Sequence, residues 1–147
     1  MSRLHVHIAV DDLEQNIRFY SALFGAGPSV ARDDYAKWEL ADPAVNFAIS
    51  ARARHAGLDH VGIQADSAEE LQALQARLED AGIAGREQSG AACCYARSDK
   101  YWSLDPQGIA WEAFHTLDSI PTFNESEAET PAQGCCVPEI GAGGCCP

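Results

Sequence analysis

All six cysteines of this chain stand in adjacent doublets: Cys93–Cys94, Cys135–Cys136 and Cys145–Cys146. Adjacent cysteines are poor disulfide partners, because the ring they would close is small and strained. Metal, metalloid or redox chemistry is the better use of such a pair. Soft thiolates select soft, thiophilic ions, whereas imidazole and carboxylate suit harder transition metals. Cys135, Cys136, Cys145 and Cys146 would together be enough for the four thiolates of a tetrahedral zinc or cadmium site, or for capturing a soft metal or metalloid, although Cys-x-x-Cys spacing is absent.

Three further residues stand out by position. His5 opens the phrase "HVHIAVDD" (5–12), and His60 opens the matching phrase "HVGIQADS" (60–67). Glu112 lies in "DPQGIAWEAF", where strand alternation puts it on one face with Ala110 and Phe114. A carboxylate among apolar neighbours is desolvated, which raises its pKa unless a cation compensates. Two imidazoles and one carboxylate form the facial triad suited to non-haem Fe(II), with positions left open for oxygen or substrate. His7 shares the face of His5 and is the alternative ligand at that end. His55, in "ARARHAGL", and His115, after the last strand, are expected to be structural or solvated.

The elements that position these residues follow a repeat. Alternation predicts a first strand over 4–10, with Val6, Ile8 and Val10 on one face and His5, His7 and Ala9 on the other. Asp11 or Asp12 caps a helix over 13–24, whose apolar positions are Leu13, Ile17, Phe19, Tyr20 and Leu23. Gly25, Gly27 and Pro28 end it. Strands are predicted over 29–32, 35–40 and 45–50. The order then recurs: a strand from His60, a helix over 68–81 capped by Ser67, and strands over 84–87, 94–104 and 109–115. The fold class is α+β, two tandem βαβββ modules, module one over about 1–52 and module two over about 57–118 in one domain over 1–118. The pseudo-symmetry gives a reason for His5 and His60 to meet across the module interface.

With 147 residues the chain is long enough for a core without staples. Its net charge of −12 argues against nucleic acid. No apolar run spans a membrane, and "MSRLHVHIAV" lacks a basic leader, so the expected location is cytoplasmic, where thiols stay reduced. Residues 116–147 hold five acids, no Lys or Arg, four prolines and four glycines. Such a composition cannot bury enough apolar surface to order itself, so 119–147 is expected to be a flexible, disordered acidic tail carrying two cysteine doublets. The short linker between modules lets them pair within one chain or swap in a homodimer.

The phrases "VDDLEQNIRFYSALFG", "LDHVGIQ" and "DPQGIAWEAF" resemble the vicinal oxygen chelate superfamily, which includes glyoxalase I, extradiol dioxygenases and fosfomycin- and bleomycin-resistance proteins. Within it, "CCYARSDKYW" resembles the organoarsenical C–As lyases and the related cadmium-induced proteins. The resemblance covers about residues 1–118 and implies a metal cleft built by paired βαβββ modules. It implies that His5, His60 and Glu112 bind Fe(II), and that Cys93 and Cys94 bind the arsenic of a trivalent organoarsenical. Oxidative cleavage of the carbon–arsenic bond with O2 as co-substrate would give arsenite and, from a methyl group, formaldehyde.

Two thiols match the two exchangeable positions of a monomethyl arsenical in number. Adjacent residues of a regular strand point to opposite faces, so the pair needs irregular backbone, which the preceding "SGAA" is expected to supply. Lys100 and Arg97 are the cations placed to favour thiolate. Tyr95, Tyr101 and Trp102 are candidate walls of the pocket. The competing readings are a non-catalytic cadmium- or arsenite-binding protein and a glyoxalase-like isomerase. The resemblance implies a fourth, carboxylate ligand for the isomerase, from the strand "AVNFAIS", which holds no acid.

Overall fold

The computed structural model of the chain describes residues 1–53, 55–123, 137, 138 and 140. Module one runs β1 (Arg3–Ala9), α1 (Leu13–Phe24), β2 (Val30–Arg32), β3 (Tyr35–Ala41) and β4 (Ala44–Ser50). Module two repeats it as β5 (Gly57–Gln64), α2 (Ala68–Asp80), β6 (Gly85–Cys93), β7 (Ala96–Leu104) and β8 (Ala110–Ser119). Their eight strands form one mixed sheet in the order β2-β3-β4-β1-β5-β8-β7-β6, curled into a half-barrel. Each module pairs its first strand parallel with its last, β1 with β4 and β5 with β8. The modules join through antiparallel β1 and β5. These are the two βαβββ modules that the repeat predicts.

Both helices begin where the caps require. The Asp12 carboxylate accepts from Gln15 N–H at 2.9 Å, and the Ser67 hydroxyl accepts from Glu70 N–H at 3.2 Å, each meeting a donor the first turn leaves unpaired. Gly25 closes α1 at φ 67, a left-handed conformation that glycine takes without side-chain strain. The face of α1 that packs on the sheet is Leu13, Ile17, Tyr20 and Phe24, against Trp38, Phe47 and Ile49. Phe19 and Leu23, expected on that face, are exposed instead. They lie about a quarter-turn from the packed stripe. α2 sets Leu71, Leu74 and Leu78 against Ala65, Tyr101 and Ala113.

With both helices on one face, the other face of the sheet becomes the concave one. In β1 this face is the more deeply buried, and it carries His5 and His7, 5% and 3% exposed. Burying two imidazoles is costly unless they find partners, so this face must supply partners for both rings.

Of the predicted tail (119–147), residues 124–136, 139 and 141–147, with all four of its cysteines, lie outside the described residues. Within the described part, Phe123 is buried against Tyr35, Ala48 and Cys93, and Val137 against Trp102 and Ala110. No helix of the described residues is long and apolar enough to cross a membrane.

Candidate functional site

His5, His60 and Glu112 converge although they come from three strands. His5 Nε2 is 3.1 Å from His60 Nε2, and His60 Nε2 is 3.1 Å from Glu112 Oε2. The third side, His5 Nε2 to Glu112 Oε2, is 3.6 Å. Three donors at right angles on an ion with bonds of about 2.1 Å would stand about 3.0 Å apart. The triangle is therefore close to the size a first-row divalent metal requires, and all three residues are at most 5% exposed.

Each ring has its Nδ1 held by an outer partner. His5 Nδ1–H donates to the Asn46 backbone carbonyl at 3.1 Å and faces its side-chain oxygen at 3.2 Å. Asn46 in turn donates to Gln64 Oε1 at 3.0 Å, which sets the orientation of the amide. His60 Nδ1–H donates to Asp59 Oδ1 at 2.6 Å. In His5 this leaves Nε2 as the lone-pair nitrogen, whereas His60 Nε2 also shares a proton with Glu112 Oε2 at 3.1 Å and becomes a ligand when that proton leaves; such outer partners tune and orient metal ligands. Lys100 Nζ sits 2.5 Å from Glu112 Oε1, leaving Oε2 to face the imidazoles.

Asp59 and Asn46 were not singled out in the sequence. In regular alternation Asp59 would face away from His60. The pairing of β1 with β5 slips here, however: His7 pairs with His60 and Ile8 with Leu58, so Asp59 is the extra residue of a bulge. A bulge re-aims a side chain, and that puts the carboxylate beside the ring. The adjacent Asp-His pair was the only signal available.

The electrostatics follow from burial and partners. Burial, aided by the neighbouring His60, pushes His5 down to about 4. His7 is pushed by burial down to about 3. Burial also opposes charge on His60, but its hydrogen bonds to Asp59 and Glu112 outweigh that and raise it. For Glu112 burial would raise the pKa, yet Lys100 and the imidazoles hold it well below the usual carboxylate value. Glu112 is thus an anion among neutral or cationic neighbours.

The cysteines lie in the same narrow cleft, of about 40 Å³, which His5, His60, Glu112, Lys100, Cys93 and Cys94 help to line. β6 ends at Cys93, and the hairpin to β7 turns at Cys94 and Tyr95, both left-handed at φ 58 and 61. Two successive positive φ values are those of a type I′ turn. The irregular backbone that brings the sulfurs together is therefore the turn itself, while the preceding "SGAA" lies in β6 with a register slip between Gln88 and Ala91 and Gly90 at φ 60. Cys93 Sγ and Cys94 Sγ are 2.9 Å apart, too far for an S–S bond. Cys93 is nevertheless disulfide-bonded, contrary to the expectation that its thiol is reduced.

Burial pushes the Cys94 thiol up to about 12, with Lys100 drawing it down. Lys100 faces the cleft, whereas Arg97 alternates to the other side of β7, where it donates to the Gly90 carbonyl at 3.2 Å and approaches Asp118 at 3.9 Å. The candidate walls also divide. Trp102 packs its ring 5.1 Å from His60, Tyr95 caps the turn against Tyr35 and Phe123, and Tyr101 faces α2 on the far side of the sheet. Tyr35 and Phe114 line the cleft instead. His115 Nδ1 meets the Ala65 carbonyl at 3.3 Å, as a structural residue would. A wider groove of about 570 Å³ lies behind the sheet among Leu74, Leu78, Trp111 and Ala113, away from the histidines.

The glyoxalase/bleomycin resistance protein/dioxygenase superfamily profile matches residues 2–113. The chain is 39% identical to a trivalent organoarsenical cleaving enzyme of Bacillus sp. (strain MD1), over 99% of this chain and 91% of that protein. It is 34% identical to the cadmium-induced protein CadI of Mycobacterium tuberculosis (strain ATCC 25618 / H37Rv), over 97% and 98% of the two. Homoprotocatechuate 2,3-dioxygenase from Arthrobacter globiformis shares the fold, with a TM-score of 0.59 at 16% identity over 82% of this chain and 38% of that one. Fold, metal-sized donor triangle and relatives agree: this chain belongs to the glyoxalase/bleomycin resistance protein/dioxygenase superfamily.

Proposed function

We propose that the protein is an Fe(II)- and O2-dependent C–As lyase that converts trivalent organoarsenicals to arsenite. The observation that carries this reading is the placing of Cys93 and Cys94 in the same cleft as His5, His60 and Glu112. A thiophilic ligand site and a transition-metal site there share one small volume. The relatives named trivalent organoarsenical cleaving enzymes support the choice of substrate.

His5, His60 and Glu112 would hold the metal, and bound Fe(II) would supply the activation of dioxygen. Asn46 and Asp59 orient both rings with Nε2 toward the metal, which would replace the proton between His60 and Glu112, and Lys100 balances the charge of Glu112. After an external thiol reductant has opened the Cys93 disulfide by exchange, the two thiols displace two hydroxides from arsenic, each hydroxide leaving as water with a thiol proton. The organic substituent is then held between the thiols and the histidines, beside Tyr35 and Phe114. Methylarsonous acid plus dioxygen gives arsenous acid plus formaldehyde, which balances in atoms and electrons without a further reductant.

Two features weigh against the isomerase reading. The strand register makes Ala48 the counterpart of Glu112 in module one, and alanine offers no ligand. A thiol pair has no task in that chemistry either. Non-catalytic sequestration by the thiols is the second reading, favoured by the likeness to CadI. Paired variants separate it from the first. Glu112→Ala is expected to abolish turnover and spare arsenical binding, while Cys93→Ser/Cys94→Ser abolishes arsenical binding and leaves metal binding intact. Loss of arsenical binding in Glu112→Ala would contradict this division.

A further inference from the structure

His7 is a buried imidazole to which the reading above assigns no task. It follows His5 by two residues on β1, so both project to the concave face. Its ring centroid lies 4.9 Å from that of His60 and 6.3 Å from that of His5. Nε2 is 2.8 Å from Ser50 Oγ. Nδ1 is buried and has no hydrogen-bond partner among the described residues. Leaving a buried polar atom unmatched is costly. One ring nitrogen from each of His5, His7 and His60 falls within 4.8 Å of the other two, a looser grouping than the about 4.2 Å that is the most two donors to one ion can span, so shared ligation draws the His7 ring inward.

The repeat relates this position to the site. Aligning "HVHIAVDD" with "HVGIQADS" makes Gly62 the counterpart of His7. In module two Gly62 is the register partner of Glu112, and in module one His7 is the register partner of Ala48. The pair that carries a carboxylate therefore has glycine opposite, and the pair that carries alanine has imidazole opposite. Each half contributes one donor, from opposite members of equivalent pairs.

We propose that His7 Nδ1 is a fourth protein donor to the metal held by His5, His60 and Glu112, giving a site of three imidazoles and one carboxylate. Ser50 Oγ accepts from Nε2–H and so leaves the Nδ1 lone pair for the metal, as an outer partner does for a ligating histidine. The inference rests on the reading of His5, His60 and Glu112 as metal ligands. A third neutral nitrogen shifts selectivity away from Mg(II) and toward Fe(II), Co(II) and Zn(II). It also makes the site unlike a two-histidine triad, with one position fewer open to oxygen and substrate.

The test is anaerobic titration of the reduced full-length protein with Co(II), read by its visible bands and by competition with a chelator. Wild type is expected to bind one Co(II). His7→Gln is expected to bind it about 10- to 100-fold more weakly, with shifted bands. In His7→Gly, added imidazole is expected to restore the wild-type bands, an effect that a merely structural histidine would not show. Thermal melts of both variants identify any folding failure, and His7→Gln, which keeps most of the volume, carries the test if His7→Gly does not fold. Variants that fold, keep wild-type affinity and keep wild-type bands overturn the fourth donor while leaving the triad in place. Weaker binding with unchanged bands and no imidazole rescue also overturns it, assigning His7 to the surroundings of the ligands. Wild type that binds no Co(II) overturns the inference and the triad together.

Discussion

Gly62 and Glu112 are register partners across the parallel β5–β8 pair, and a Cβ built on Gly62 would collide with the backbone carbonyl of Glu112. The glycine lets the strand carrying His60 press against the strand carrying Glu112. Gly62→Ala is therefore expected to force the strands apart, with overpacking worth about 1–3 kcal/mol. Urea unfolding should show the loss, and Co(II) affinity should fall in the fraction that remains folded. Wild-type metal affinity in that variant would mean that the spacing of β5 and β8 does not set the site.

Acid should unfold the metal-free protein earlier than carboxylates alone would cause. His5 and His7 have folded values of about 4 and about 3, below the ordinary 6.5, because burial opposes their charge. As pH falls from about 6.5, the unfolded chain takes up protons there that the folded chain refuses, so stability drops by at most about 1.4 kcal/mol per pH unit for each group. The drop continues until pH reaches the folded values. His60 is raised and works in the opposite sense: its contribution is complete below the unfolded value and is lost as pH rises through the folded one. Denaturant midpoints measured between pH 7 and pH 4 check this, and His7→Gln should flatten the slope.

Cys94 should be a protonated and therefore weakly nucleophilic thiol at neutral pH. Burial lifts it to about 12, and Lys100 draws it down. After reduction, labelling of Cys94 by a small alkylating reagent is expected to rise about tenfold per pH unit with no plateau below about pH 10. Lys100→Met should slow the labelling further. A plateau near neutral pH would mean that the thiolate is far better stabilised than this surrounding permits.

Much of this arrangement was legible before any coordinates. The bounds of α1 match the predicted 13–24 because an Asp cap and a left-handed glycine are local devices. His5 and His60 were recoverable because a 55-residue offset repeats a strand and symmetry carries one histidine to the other, and Glu112 because strand alternation sets it among apolar neighbours. What could not be read depends on register. Lys100 meets Glu112 only through the β7–β8 pairing, in which Trp102 is opposite Glu112. Asp59 reaches His60 through a bulge. Cys94 and Tyr95 adopt positive φ without glycine, a turn that side-chain preference would not have selected. The apolar residues Phe19 and Leu23 misled the reading of α1 because an exposed side chain has no signature of its own.

The most direct test of the central claim is arsenic speciation in one incubation. Reduced protein loaded with Fe(II) under nitrogen receives a trivalent methylarsenical and then air, with an airless control and a metal-free one. The account predicts arsenite and formaldehyde in equal amounts, and only where both oxygen and iron are present. Tight binding of the arsenical with no arsenite released in air would contradict it and leave the protein a sequestering one.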